Sequence, residues 1–155
     1  MAKVKTNFKD AEKLIQKFKD TAKKPVAAIY KKEIIFELEG GRSPVQGINR
    51  LPQYSPSYKD QIKKGRFTKF AKRIRPVNLK LSGKLHKSIF TKFRRNIIQI
   101  GFDSELAAIH NNLGAGKSKA IRRMLPTNDG ETFKRSIELK VREVLTQIAN
   151  KIFKR

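Results

Sequence analysis

The sequence predicts an α+β fold, in which a small, mostly antiparallel sheet packs with N-terminal and C-terminal helices and a long Pro/Gly-rich arm. Three observations lead to this prediction. Apolar residues recur at helical spacing near both ends of the chain, and they alternate with period 2 between residues 88 and 102. A length of 155 residues is that of a single domain. Its parts are an N-terminal helical part (1–39), an extended arm (40–58), a basic segment with the sheet and a short helix (59–126), and a C-terminal helix (127–155).

The N-terminal part has the pattern of an amphipathic helix. Its first apolar residues, which recur at helical spacing, are Phe8, Ala11, Leu14, Ile15, Phe18 and Ala22. Pro25 interrupts the series, but the same period resumes from Val26 to Leu38. The pattern therefore leaves two alternatives, one kinked helix or two consecutive helices. Gly40 and Gly41 predict its end.

The arm is rich in residues that break regular structure. Residues 40–56 contain three glycines and three prolines, which predicts an irregular, partly extended segment. A loop of this length in a small domain is usually functional or disordered. We therefore expect an irregular arm with a functional role.

Two strands joined by a tight turn follow the basic segment. One face of the first strand carries Ile89, Thr91 and Phe93, and one face of the second carries Ile98, Ile100 and Phe102. Residues 105–113 predict a short helix closed by Gly114. Residues 120–125 could add a further strand before Pro126.

The C-terminal helix has the most regular pattern of the chain. Asn128 and Glu131, three residues apart, match the capping-box pattern of a helix start. The apolar stripe that follows consists of Phe133, Ile137, Val141, Val144, Leu145, Ile148 and Ile152.

The chain is strongly basic. It carries 37 Lys and Arg against 13 Asp and Glu, a formal net charge of +24 at pH 7. The charge is concentrated between Lys59 and Arg95, where 14 basic residues stand against Asp60 alone. At cellular ionic strength such a field attracts polyanions over about 8 Å, so a nucleic acid, an acidic protein surface or both is the expected partner.

The densest basic run, residues 63–75, has Phe67 and Phe70 among its cations. Cationic side chains beside an aromatic ring can follow phosphates and stack a base. In the alternative interpretation, both phenylalanines face the core and the charges form a surface that faces solvent or an acidic partner. The candidates for polyanion contact are Lys63, Lys64, Arg66, Lys69, Lys72, Arg73, Arg75, Arg94 and Arg95.

The reactive side chains predict neither an enzyme nor a cofactor or metal site. There is no cysteine, which excludes disulfides, thiolate zinc sites and cysteine nucleophiles. His86 and His110 have no carboxylate at metal-ligand spacing. The stretch from Gly114 to Ser118 ends like a phosphate-binding loop, but Asn111 stands where the first glycine of that motif belongs, and a predicted helix precedes it in place of a strand.

Three short segments in the middle of the chain match, in order, the motifs of a known family. They are Leu51-Pro52-Gln53-Tyr54-Ser55-Pro56-Ser57-Tyr58-Lys59, Leu81-Ser82-Gly83-Lys84-Leu85-His86-Lys87-Ser88-Ile89, and Ala107-Ala108-Ile109-His110-Asn111 with Met124-Leu125-Pro126 beyond it. Together they resemble the virion-morphogenesis and tail-completion proteins of tailed bacteriophages. In that family a Leu-Ser-Pro-x-Tyr arm precedes a Leu-Thr-Gly-x-Leu-x-x-Ser-Ile segment and an Ala-x-Ile-His-Asn/Gln helix. Ser82 replaces the threonine of the second motif, and Arg123 stands near the arginine of a later motif.

The resemblance implies a structural task in virion assembly. Several copies would form a homo-oligomeric ring, with six copies as one option, at the head-tail junction or neck of the virion. The implied partners are portal or adaptor proteins, tail-tube or tail-terminator proteins and, non-specifically, DNA in the channel, with no membrane. The implied location is the virion, after assembly in the host cytoplasm. In such a ring the Pro-rich arm is expected to protrude from the body and to reach the adjacent protomer or ring. The docking residues expected under this interpretation are Leu51, Pro52, Tyr54, Pro56, Tyr58, His110 and Asn111.

The main alternative is a basic nucleic-acid-binding protein, such as a DNA or RNA accessory protein of ribosomal type. The high charge favours it, but none of the usual nucleic-acid-reading motifs is present in the sequence. A basic nuclease is disfavoured because a metal-dependent one needs clustered carboxylates, which the sequence lacks.

Overall fold

The computed structural model describes residues 8–67, 72–79, 83–94, 97–114, 119–127 and 130–153. Its elements in chain order are α1 (Phe8–Glu39), α2 (Pro56–Lys63), α3 (Lys84–Lys87), β1 (Ile89–Arg94), β2 (Ile97–Phe102), α4 (Glu105–Ala108) with a π-helical turn at Ile109–Leu113, and α5 (Arg135–Phe153). The two strands pair in antiparallel orientation, and α1 packs against α5. The predicted α+β fold is confirmed.

The first helix, α1, is a single helix of 32 residues, which decides between the two predicted alternatives. Pro25 lies inside it, and buried residues continue on both sides of the proline. Those buried residues are Ala22, Val26, Ala27, Ile34 and Leu38. Their burial offsets the backbone hydrogen bond that proline does not donate. The helix ends at the predicted glycines, where Gly41 has a φ of +72° and its N–H donates to the Leu38 carbonyl at 3.1 Å.

The predicted strand pair is confirmed, and its register brings the two sets of predicted residues opposite one another. The residues opposite one another are Ile89 and Phe102, Thr91 and Ile100, and Phe93 and Ile98. Residues 95 and 96 of the predicted turn lie outside the described residues. Ile89 is fully buried, whereas Phe93 is 40% exposed, so only the beginning of the hairpin enters the core and its far end extends alongside α1.

The further strand considered for residues 120–125 does not form. The backbone donors of this segment have partners in the preceding helical turn. The Arg122 N–H donates to the His110 carbonyl at 2.8 Å. The N–H groups of Met124 and Leu125 donate to Oδ1 of Asn111 at 2.5 and 2.9 Å. An asparagine side chain therefore takes the place that a neighbouring strand would occupy.

The last helix, α5, begins at Arg135, so the helix start predicted from the capping-box pattern is wrong. Asn128 itself lies outside the described residues. Phe133 forms an isolated antiparallel bridge with Val45, which keeps this part of the chain extended. A residue that is distant in sequence caps the helix, because Oε1 of Gln46 accepts a hydrogen bond from the Arg135 N–H at 3.1 Å. The buried residues of its apolar stripe are Ile137, Val141 and Ile148.

The arm is irregular up to Ser55, as predicted, but it does not project from the body. Leu51 is 2% exposed and Tyr54 is 7% exposed, and α2 begins at Pro56. The expectation of a projecting arm is therefore wrong, because glycine and proline break the regular backbone while the apolar side chains between them enter the core. The core cluster consists of Ile34, Leu38, Leu51, Tyr54, Val77, Leu79, Ile89, Ala107, Met124 and Leu125.

Candidate functional site

The three motif segments meet in the interior of the protein. Tyr54 of the first segment, Ile89 of the second and Ala107 of the third belong to one buried cluster. The Tyr54 hydroxyl accepts a hydrogen bond from the Leu79 N–H at 3.2 Å. Burial raises the pKa of Tyr54 to about 12, so the phenol stays protonated at neutral pH. Leu51 and Tyr54, which the resemblance implied as docking residues, hold the arm to the core in this structure.

Asn111 connects the third motif to the segment that follows it. It is 2% exposed, and its Oδ1 accepts from the N–H groups of Met124 and Leu125. Its Nδ2 donates to the Leu125 carbonyl at 3.3 Å and to Oδ1 of Asn112 at 2.8 Å. Because every polar atom of this side chain is used internally, Asn111 offers no surface to a partner in this structure.

Arg122 joins the first motif to the same segment, and sequence reasoning did not single it out. It is 4% exposed, and it donates from Nη2 to the Gln53 carbonyl at 3.0 Å and from Nε to the Pro52 carbonyl at 3.3 Å. Its guanidinium carbon lies 5.3 Å from the centroid of the Tyr54 ring. Buried arginines are usually paired with carboxylates, but here backbone carbonyls and an aromatic face stabilise the charge. One feature of the sequence pointed towards this residue. The family that the chain resembles has an arginine in this region, and the resemblance placed it at the adjacent Arg123.

Lys72 packs on the same tyrosine. Its Nζ lies 4.6 Å from the centroid of the Tyr54 ring and 5.6 Å from that of Tyr58. Burial, and secondarily the positive charge of Arg122, lowers the pKa of Lys72 to about 8. A predicted polyanion contact is thus half-buried against aromatic rings, where cation–π attraction stabilises its charge.

His110 lies near these two cations. Its Nδ1 is buried and has no hydrogen-bond partner among the described residues. Burial, followed by the positive charges of Arg122 and Lys72, lowers the pKa of the His110 imidazole to about 4. The side chain is therefore neutral at pH 7, and it can neither act as a cation nor serve as a general base with a matched pKa.

The other docking candidates differ in exposure. Pro56, the first residue of α2, is exposed, whereas Pro52 and Tyr58 are half-buried. Phe67 is also half-buried, and its ring centroid lies 5.3 Å from that of Tyr58. This contact favours the interpretation that Phe67 packs within the protein, while Phe70 lies outside the described residues.

The remaining polyanion candidates that the structure describes are exposed to solvent. Those that we call the basic surface are Lys63, Lys64, Arg66, Arg73 and Arg75, and Arg94 lies apart from them at the end of β1. None of them forms an ion pair with a carboxylate in the part of the chain that the structure describes. Lys69 and Arg95 lie outside the described residues. The positive charge of this surface is therefore available to a partner.

The described residues do not meet the requirements of a metal site. Within the described ranges, no group of three His, Asp or Glu side chains could hold a metal ion. Gly114 closes the helical turn with a φ of +78°, and its N–H donates to the Ile109 carbonyl at 2.9 Å. Residues 115–118 of the stretch that resembles a phosphate loop lie outside the described residues.

None of the helices within the described residues is long and apolar enough to cross a membrane. A scan against protein-family models and searches of curated proteins and of solved structures found no match for the chain.

Proposed function

We propose that the chain is a structural protein of tailed-bacteriophage virions that forms a ring at the head-tail junction and joins the portal or adaptor to the tail. The observation that carries this proposal is the convergence of the three motif segments. Tyr54, Ile89 and Ala107 come from separate segments and pack in one core. Motifs that are individually short therefore form one structural unit, as a resemblance at the level of the fold requires.

The charge of the chain supports a role among macromolecular partners. Each copy carries a formal charge of +24, and the basic surface has no carboxylate partners among the described residues. Several copies in a closed ring would repel one another unless acidic neighbouring proteins or DNA in a channel screened them. The ring itself would use heterologous, head-to-tail contacts between copies.

The burial of Leu51, Tyr54 and Asn111 changes where we place the docking surface. These side chains maintain the shape of the protomer, and the surface presented to partners consists of Pro56 and the basic surface that follows it. In this arrangement the motifs act by positioning α2.

Deletion of the coding sequence from the phage or prophage that carries it tests the proposal. We expect DNA-filled heads and finished tails that do not join, visible by negative-stain electron microscopy, and joined particles when the chain is supplied from a plasmid. Joined, infectious particles formed without the chain would overturn the proposal.

A second function, dedicated nucleic-acid binding, is favoured by the exposed cations of residues 63–75. Filter binding separates the two functions. A dedicated binder retains duplex or single strands at moderate salt with a steep dependence on salt concentration, whereas a junction protein shows weak, non-specific retention.

A further inference from the structure

An apolar cleft of about 200 Å³ opens between the far end of the hairpin and the two long helices. Its apolar walls include Phe18 and Val26 of α1, Phe93, Ile97 and Ile98 of the hairpin, and Leu145 of α5. The cleft lies where the hairpin leaves the core. The elements that form it are separate from Pro56 and the basic surface.

The hairpin side of this cleft is unusually apolar for a surface. Ile97 is 65% exposed and Phe93 is 40% exposed, although both stand at the end of a hairpin, where polar residues are expected. Single exposed apolar residues are ordinary, but several around one concavity indicate a contact site. Phe36 illustrates the ordinary case, because it is 58% exposed, is not part of the cleft wall, and has the Arg42 guanidinium 5.5 Å from its ring centroid.

The size of the cleft limits what can occupy it. An engineered cavity of about 150 Å³ holds one benzene, and pockets for small-molecule ligands usually begin at about 300 Å³. A cleft of about 200 Å³ therefore fits one aromatic or large aliphatic side chain. Single bulky anchors of this kind contribute most of the affinity in many protein interfaces.

The rim of the cleft is cationic. Lys19 and Lys23 of α1 line it. Lys23 pairs with Asp20 at 2.7 Å, whereas Lys19 forms no ion pair with any described carboxylate. A second copy of this chain would bring another charge of +24 to the same place, so the rim is complementary to an acidic partner.

We propose that this cleft is the docking site for an acidic segment of another protein, which inserts one aromatic or large aliphatic side chain into the cleft and places carboxylates near Lys19. The inference deepens the proposed function, because it gives the chemistry of one assembly partner. Only the identification of the partner as a virion protein rests on the proposed function.

Binding of short peptides to the purified full-length chain tests the inference. The probe is a fluorescein-labelled peptide with one Phe flanked by Asp and Glu, compared with a peptide in which Ser replaces the Phe and one in which Lys replaces the acidic residues. Fluorescence anisotropy and amide chemical-shift changes in ¹⁵N-labelled protein report the affinity and the site. We expect the acidic Phe peptide to bind at the hairpin end, and each altered peptide to bind about tenfold more weakly or worse.

Variants of the cleft and matched variants elsewhere identify the site. Phe93→Ser and Ile97→Ser should each weaken binding of the acidic Phe peptide about tenfold. Lys19→Glu should weaken the acidic peptide and strengthen the lysine peptide. Phe36→Ser and Lys32→Glu, the same substitutions at exposed positions of α1 outside the cleft, should change affinity by about twofold or less. Because Ile97 and Lys19 are exposed, their variants should keep the fold, which circular dichroism checks.

Three results would overturn the inference. The first is no binding of the acidic Phe peptide, and the second is binding that the cleft variants leave unchanged. The third is self-association of the chain that Phe93→Ser abolishes, which would make a second copy the occupant. The experiment uses purified protein, so its failure leaves the proposed virion function standing, and failure of the deletion experiment leaves peptide binding standing.

Discussion

The guanidinium carbon of Arg122 lies 5.3 Å from the centroid of the Tyr54 ring, and the same guanidinium donates to the carbonyls of the two residues directly before that ring, Pro52 and Gln53. One side chain thus holds both the backbone and the aromatic ring of the first motif. Together with Asn111, it binds the segment after the third motif to the rest of the core.

Replacement of this arginine should destabilise the protein. We expect Arg122→Met to lower the free energy of unfolding by about 1–3 kcal/mol, because the carbonyls of Pro52 and Gln53 lose charged donors, a loss that removal of the buried charge only partly offsets. Urea unfolding followed by circular dichroism measures the difference. Arg73→Met, at an exposed position, is the control and should cost about 0.5 kcal/mol or less. Equal effects of the two substitutions would contradict the assigned role.

A pair of adjacent asparagines provides an equally close comparison. Asn111→Leu leaves the N–H groups of Met124 and Leu125 without their acceptor, and we expect a loss of about 2–4 kcal/mol in the free energy of unfolding. Asn112→Ala should cost about 1 kcal/mol or less, because Asn112 is exposed and Nδ2 of Asn111, which loses the Asn112 acceptor, keeps the Leu125 carbonyl. If Asn111→Leu were as mild as Asn112→Ala in chemical denaturation, residues 122–125 would not depend on this side chain.

The low pKa of His110 predicts a pH-dependent contribution to stability. The folded imidazole titrates at about 4 and the ordinary value is 6.5, so between these pH values the unfolded chain binds a proton that the folded chain does not. Stability from this group therefore falls as the pH falls through that window. We therefore expect the wild type to lose stability relative to His110→Gln when the pH is lowered from 7 to about 5, as measured by their free energies of unfolding. A difference that does not change with pH would show that His110 is not buried near Arg122 and Lys72.

The basic surface should determine any binding to DNA. Substitution of Lys63, Lys64 and Arg66 by Ser should reduce retention of duplex DNA in filter binding. The substitutions should also make binding less dependent on salt. The slope of the logarithm of the binding constant against the logarithm of the salt concentration should become shallower by about 0.9 for each phosphate that the variant no longer neutralises. Arg142→Ser and Lys151→Ser, exposed on α5, are the control. An unchanged slope in the triple variant would assign DNA binding to another surface.

Much of the fold follows from local patterns. The alternation of Ile89, Thr91 and Phe93 is a property of neighbouring residues, and the register of the hairpin places them on the predicted face. Gly41 and Gly114 end helical segments, as expected of residues that adopt positive φ at little cost. By contrast, the continuity of α1 through Pro25 depends on burial against the rest of the fold, which a local pattern does not report.

The site was less predictable, because its contacts join distant parts of the chain. The density of glycine and proline in the arm predicted its irregular backbone, but it contains no information on whether Leu51 and Tyr54 are buried. Arg122 and Asn111 look like surface residues in the sequence, and only the tertiary structure gives them carbonyls and N–H groups to bind. Buried polar residues of this kind are the ones that sequence patterns identify least well.

The most direct test of the proposed virion function is cryo-electron microscopy of the head-tail junction in tailed particles purified from cultures that express the chain. We expect a closed ring of copies of this fold between the portal or adaptor and the tail. Intact particles in which the chain is absent from both the junction density and the protein mass spectrum would contradict it.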